Sequence, residues 1–399
     1  MTPRSTPRKR GSLYQLLLVG GFSLWDFYIG PYSGGVRPFD LLGSGAAVLH
    51  GFVTRRATPY VSPWRRFGIA AIIAVVGWAL FVTLFSDPAT RWKPVVGILM
   101  GLTVLLALLA APPAPRSLER ITRTLLLAHA TVLVVQWAWY HATGSIINFH
   151  AITGGDPRLM AAFFRPAGLF LEPSHFAVFM TMMLLVRLRV LRRLDAPAWI
   201  GIASVLLSLS LLGLLAVAYV LVRSRPVVGL SITSAVASIA VVLAASLPRD
   251  SILNALVLTR FENLSTDSSA QGRYGGFMGG ASDLAMTATD WIFGRGFGYE
   301  YVAIGSSSIS FLVNAAGAVG LGVFVLAIGL ASARGQRLAG SLDVAFLLLA
   351  APFWTFPIWW WWLAALVTAR GRIVPRATRT MRTAAIPSPP SSLTHAAAR

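Results

Sequence analysis

The sequence contains no cysteine, so disulfides and thiolate metal sites are excluded. Charge is scarce, with only 12% of the 399 residues Asp, Glu, Lys or Arg, and acids are scarcer still at 14. It has no D-x-D, no H-E-x-x-H and no P-loop, so the usual sequence marks of metal-assisted transfer and nucleotide binding are missing. No internal repeat is visible, which argues against an inverted-repeat transporter. What fills the space is apolar: 56% of residues are hydrophobic and the mean hydropathy is +0.68. Long apolar runs recur from residue 12 to residue 369, so the expected fold class is an all-α, polytopic integral membrane protein.

A net charge of +20 would suggest nucleic acid in a soluble protein. Here the arginines lie in short connections between apolar runs, where they act as topology signals, and no nucleic-acid partner is expected. The start, "MTPRSTPRKRGSLYQLLLVGGFSLWDFYIG", has no A-x-A site after its apolar part and reads as an uncleaved first span.

Clear spans are 12–30, 39–53, 66–86, 94–112, 121–141, 174–187, 226–247 and 309–332. Two stretches, 198–222 and 343–368, could each cross once or fold as two short helices, since one crossing needs about 20 residues. Arginine placement arbitrates. With both stretches doubled and the N-terminus cytoplasmic, 25 Lys/Arg fall inside and 9 outside; a single crossing at 198–222 reduces the tally to 19 against 15. The expectation is therefore a bundle of about 12 transmembrane helices with both termini cytoplasmic. Ser208, Ser210 and Gly213 are the break points expected in the first doubled stretch, and Pro357 in the second. Ten of the 14 acids fall outside in this arrangement, three inside, and Asp26 within the first span.

The organisation is then a basic cytoplasmic N-terminus (1–11), a membrane domain (12–369) and a basic, disordered cytoplasmic tail (370–399). Two long extracytoplasmic loops, 142–173 and 248–308, share one face, and loops of that size are where function usually lives.

The first loop ends in "RPAGLFLEPSHFAVFM", where charge crowds the mouth of an apolar run. Pro173 suits the first turn of a helix, and the helix dipole favours a carboxylate there, which pins Glu172 at the membrane boundary. Arg165 lies seven residues earlier and can approach the same place, either as an ion pair closing the loop or as a cationic donor sharing a substrate site. Ser174 and His175 follow on the first turn; His175 is open between a sugar contact and a packed residue, and His150 is similarly open.

The second loop carries Arg260, Arg273 and Arg295 in "RFENLSTDSSAQGRYGGFMGG" and "WIFGRGFGY". Each alone reads as an ordinary loop arginine. Together they suit a diphosphate at a membrane surface, because guanidinium groups bind phosphate oxygens bidentately and stay charged. Elsewhere His50, His129 and His141 read as core or interfacial residues, Asp40 as a cap on the second span, and Trp359–Trp362 as an interfacial belt or lipid contact.

"RPAGLFLEPSHFA" resembles the arginine-to-"EPSH" element of bacterial O-antigen and exopolysaccharide polymerases of the Wzy type, and "SSAQGR…IFGRGFG" is similar to a pattern those proteins share with O-antigen ligases. The resemblance covers about 140–335. It implies a metal-independent membrane glycosyltransferase that needs no cofactor and polymerises undecaprenyl-diphosphate-linked oligosaccharides at the outer face of the cytoplasmic membrane. A flippase and a chain-length regulator would be its protein partners. It implies catalytic roles for Glu172, Arg165 and Arg273, and substrate-binding roles for Arg260, Arg295, His175 and Ser174. Two alternatives stay open: an O-antigen ligase, which would carry a histidine in the second loop where 248–308 has none, and a lipid-linked oligosaccharide flippase, which would line a cavity with more intramembrane charge than Asp26.

Overall fold

A computed structural model describes residues 19–21, 24, 38–53, 63–85, 92–151, 159–160, 163–248, 251, 254, 287–296, 308–331, 337–350 and 357–369. Among them the protein is all-α: α1 (Pro38–Val53), α2 (Pro63–Leu84), α3 (Trp92–Ala110), α4 (Pro115–Thr143), α5 (Pro173–Leu191), α6 (Ala196–Leu207), α7 (Leu211–Ser224), α8 (Pro226–Ser246), α9 (Ala288–Phe293), α10 (Ser308–Ala331), α11 (Arg337–Ala350) and α12 (Pro357–Thr368). The one extended pairing among these residues is an isolated bridge between Met160 and Phe164. Proline opens α4, α5, α6 and α8 within the first two positions, where its missing N–H costs nothing.

Among the described residues, five stretches are long and apolar enough to cross a membrane: Arg66–Leu84, Pro115–Thr143, Pro173–Leu191, Pro226–Ser246 and Phe311–Ala331. Of the span expected at 12–30, only residues 19–21 and 24 are described, and Asp26 lies outside them. The stretch 198–222 is two helices, as its Ser/Gly content suggested, but the turning residue is Leu209, in the left-handed conformation at φ 52°. Ser210 caps α7, accepting from the Gly213 N–H at 3.4 Å. The stretch 343–368 is also two helices. α11 begins earlier than expected and packs mainly on α10, whereas α12 starts at Pro357 and packs mainly on α3.

Two groups of helices emerge. α2, α9, α10 and α11 pack together, as do α4 to α8, and α11 and α12 both reach α5 to join them. α5 and α12 are consequently buried along nearly their whole length. The expectation of a tryptophan belt at the membrane boundary is corrected here. Trp359–Trp362 are all 0% exposed. Trp360 lies against Gly101 of α3, where any β-carbon would collide with its indole, and Trp359 faces Phe324 with ring centroids 6.0 Å apart. Four consecutive tryptophans point in all directions around a helix, so only an interior helix can bury them all. Asp40 lies in the first turn of α1, which starts at Pro38, and is 2% exposed.

Where α5 ends and α4 begins, the buried Arg187 donates hydrogen bonds to both carboxylate oxygens of Asp195, to the Glu119 carbonyl at 2.9 Å and to Thr122 Oγ1 at 3.3 Å. A guanidinium this deep requires such a complete set of partners.

Candidate functional site

The site expected in the first loop is built on α4 and α5. α4 ends where the Gly144 N–H bonds back to the Tyr140 carbonyl, and the chain then returns across its own last turns. Gln136, a buried residue of α4, makes three bonds to that returning chain. Its Nε2 donates to the Ile147 carbonyl at 3.0 Å, and its Oε1 accepts the N–H groups of Ala167 and Gly168, each at 2.9 Å. Gly168 takes φ +60°, the left-handed region, which lets two successive N–H groups converge on one oxygen. Below this tie His129 sits buried between Phe170 and Phe179, at ring centroid distances of 5.4 and 4.7 Å, which bears out its reading as a core residue. Tyr140 stacks on Phe164 at 4.1 Å, and the Arg165 N–H bonds to the Leu159 carbonyl at 2.8 Å, closing the turn that precedes "RPAG".

Pro173 occupies the first turn of α5 as expected, and Glu172 is its extended N-cap, φ −133° and ψ 143°. The Glu172 carboxylate does not cap the helix. Instead the Ser174 hydroxyl donates to its Oε2 at 3.1 Å, while the Glu172 backbone carbonyl accepts from the His175 and Phe176 N–H groups at 3.0 and 3.2 Å. Glu172, Arg165 and His175 are all half-buried, and Ser174 is buried. Glu172, Ser174 and His175 thus share the loop-to-helix junction, and Arg165 lies on the loop that precedes it.

Arg295 stands on different ground. The short α9 is closed by a capping box, in which Asp290 accepts the Thr287 N–H at 2.9 Å and Thr287 Oγ1 accepts the Asp290 N–H at 3.2 Å. Arg295 Nη2 donates to Asp290 Oδ2 at 2.8 Å, and its backbone N–H bonds to the Asn314 carbonyl of α10 at 2.6 Å. Burial alone would raise the Asp290 carboxyl; the hydrogen bonds from Arg295 and Thr287 outweigh that and hold it below the usual carboxylate range. The segment lies on α10 and α2, where Trp78 Nε1 donates to the Phe293 carbonyl at 2.8 Å.

This contact demands glycine. Gly317 breaks the α10 helix with φ +74°, and a β-carbon there would run into the Ile292 carbonyl. Gly294 and Gly296, either side of Arg295, have φ +82° and +81°, with β-carbon positions only 2.5 Å from the Ala315 carbonyl oxygen and 2.6 Å from the Thr83 nitrogen. The glycines of "FGRG" therefore serve close backbone packing and fix the arginine between them.

Arg260 and Arg273 lie outside the described residues. No group of three or more His, Asp or Glu side chains is gathered as a metal site among those described. Sequence reasoning missed Gln136. Its signal was present, as a lone amide in the apolar run "HATVLVVQWAWY", where a polar side chain in a span needs partners. Comparison with protein-family models and with characterised proteins gives no match to this chain.

Proposed function

We propose that the protein is a membrane glycosyltransferase that joins lipid-diphosphate-linked oligosaccharide units, the reaction of the Wzy-type polymerases that its "RPAGLFLEPSH" segment resembles. In this reading the chain crosses the bacterial cytoplasmic membrane about 12 times with both termini inside, and undecaprenyl-diphosphate-linked units are both donor and acceptor. The reading is supported by the placement of Glu172. Its carboxylate stands at the head of the buried helix α5, unused by the helix cap, touched by the Ser174 hydroxyl, and preceded by an arginine on a loop tied down by Gln136.

The chemistry asks for what that junction offers. An acceptor sugar hydroxyl attacks the anomeric carbon of the donor, forming the new C–O bond. The bond from that carbon to the lipid diphosphate breaks, and the diphosphate leaves with the electron pair. Glu172 takes the hydroxyl proton, a task worth about 10²- to 10⁴-fold in rate for a positioned base. Arg165 and Arg273 stabilise the charge that develops on the leaving diphosphate, where fixed donors are most effective because they need no reorganisation. Ser174 orients the Glu172 carboxylate, and His175 follows one residue later on the first turn of α5.

The test is Glu172→Gln, which keeps shape and removes the proton acceptor. The variant should reach normal abundance in the membrane and make no polymer, while single lipid-linked units accumulate outside. Long polymer at normal abundance would refute the mechanism.

A further inference from the structure

The C-terminal end of α4 carries a chain of rings that leads from the surface to the candidate site. Trp137 and His141 stand one turn apart on the helix, with ring centroids 4.3 Å apart. His141 meets Tyr140 edge to face at 5.4 Å, and Tyr140 stacks on Phe164 at 4.1 Å with planes 20° apart. Phe164 is 6% exposed and directly precedes Arg165, whereas Trp137 is 37% exposed and His141 is also exposed. Tyr140 lies one turn beyond Gln136, whose amide holds the loop at Ala167 and Gly168. The rings therefore form one path, from the exposed surface to the loop that carries Arg165.

The polar atoms of these rings are not used inside the protein. Among the described residues the Trp137 indole N–H, both His141 ring nitrogens and the Tyr140 hydroxyl have no hydrogen-bond partner. Trp139 makes the contrast: it is 49% exposed, but its indole N–H donates to Ser145 Oγ at 3.0 Å. Hydrocarbon can cover ring faces, yet it leaves such donors and acceptors unmatched. An anchoring aromatic at a membrane boundary works singly, with its ring in the apolar zone and its polar tip in water. A sugar satisfies both halves of the arrangement. Its C–H face carries partial positive charge that suits the negative face of an aromatic ring, and its hydroxyls donate and accept around the edge.

We infer that Trp137, His141 and Tyr140 form a sugar subsite, in which the oligosaccharide of a lipid-linked unit stacks on Trp137 and bonds to the Tyr140 hydroxyl, while its reacting end extends along the loop toward Glu172. Phe164 and the Gln136 tie hold this subsite in fixed register with Arg165. The subsite rests on the glycosyltransferase reading, which brings a sugar chain to this face, and its residues bind rather than react.

The experiment measures sugar binding to the full chain without turnover. The protein is purified in a detergent that has no sugar headgroup, and the probe is the free oligosaccharide released by mild acid from the lipid-linked units of the native cells. Thermal unfolding at graded probe concentrations gives Kd, and the probe should stabilise the native protein. Trp137→Leu with Tyr140→Phe should raise Kd at least about fivefold, since a stacked ring and one hydrogen bond are each worth about 2- to 10-fold. Trp139→Leu, which removes a more exposed ring off the path, should bind as the native protein does. If the pair fails to fold, Tyr140→Phe alone keeps every ring and should raise Kd at least about twofold. No stabilisation of the native protein, an unchanged Kd in the pair, or an equal rise in Trp139→Leu overturns the subsite. Glu172→Gln judges the glycosyltransferase mechanism separately. Loss of polymer there beside unchanged binding in the pair removes the subsite alone, and polymer from Glu172→Gln beside weakened binding in the pair removes only the base.

Discussion

Gln136 Oε1 accepts two successive backbone N–H groups, those of Ala167 and Gly168, at 2.9 Å each. One side chain of α4 therefore sets the height of the loop that delivers Arg165 and Glu172 to the head of α5. Gln136→Leu preserves volume but strands those two donors and the Ile147 carbonyl. Each buried group left unpaired costs about 1–3 kcal/mol. The variant should unfold several degrees lower in detergent and form less polymer, and an unchanged Tm would show that the tie is dispensable.

At the other loop the fit between Gly317 and the Ile292 carbonyl has no slack. Gly317→Ala forces a residue with a β-carbon into φ +74° and into that carbonyl, so the α9 segment must lift from α10. Backbone strain of this kind costs about 1–3 kcal/mol. Thr289→Cys, an exposed position on α9, reports the lifting as a changed rate of thiol labelling in the Gly317→Ala background. Unaltered labelling and Tm together would mean that α10 absorbs the change.

These contacts show which parts of the architecture the sequence carried and which it did not. Hydropathy located nearly every helix because a span must bury or face hydrocarbon along its whole length, as α8 and α10 do. Local chemistry found the breaks at Ser208–Ser210 and Pro357, and the proline at the head of α5. Trp359–Trp362 were misread because an interior helix in a membrane protein is as apolar as a lipid-facing one; only its neighbours α3 and α5 distinguish the two. The Gln136 tie and the hydrogen bond from the Tyr219 hydroxyl to Asp343 pair residues 31 and 124 positions apart, and no local pattern records such distances. Within the site, Glu172 and Ser174 were legible because they touch across two residues.

Acid should loosen the opposite end of α5. Burial pushes the Asp195 carboxyl up, but its hydrogen bonds and charge attraction to Arg187, with backbone N–H groups, outweigh this and hold it below the usual carboxylate value of about 3.9. A depressed carboxyl contributes stability that is complete above the unfolded value and lost as pH falls through the lower folded value. Tm should therefore drop more steeply below about pH 4 in the native protein than in Asp195→Asn. Parallel curves for the two proteins would refute the linkage.

The proposed topology puts the two ends of the bundle in different compartments. Arg193→Cys, exposed just after α5, and Thr289→Cys, on α9, supply single thiols in a chain with none of its own. In right-side-out vesicles an impermeant maleimide should label Thr289→Cys at once and Arg193→Cys only after lysis. Labelling of both from outside would overturn the arrangement with both termini inside.

The last prediction separates Arg165, expected to be catalytic, from Arg295, expected to bind substrate. Arg295 is fixed by its bond to Asp290 and its side chain is 12% exposed, so it already serves the α9 turn. A partly solvated pair of this kind contributes only about 0–1 kcal/mol. Arg295→Lys and Asp290→Asn should therefore behave alike, with modest losses of stability and polymer of normal length. Arg165 lies seven residues before the proposed base on a loop fixed by Gln136. If it binds the departing diphosphate, Arg165→Lys keeps the charge but loses the two-pronged contact and should cut polymer formation sharply at normal abundance. Polymer-length profiles of the three variants decide the matter. A severe defect in Arg295→Lys beside a normal Asp290→Asn would move Arg295 to the diphosphate, and normal polymer from Arg165→Lys would remove Arg165 from it.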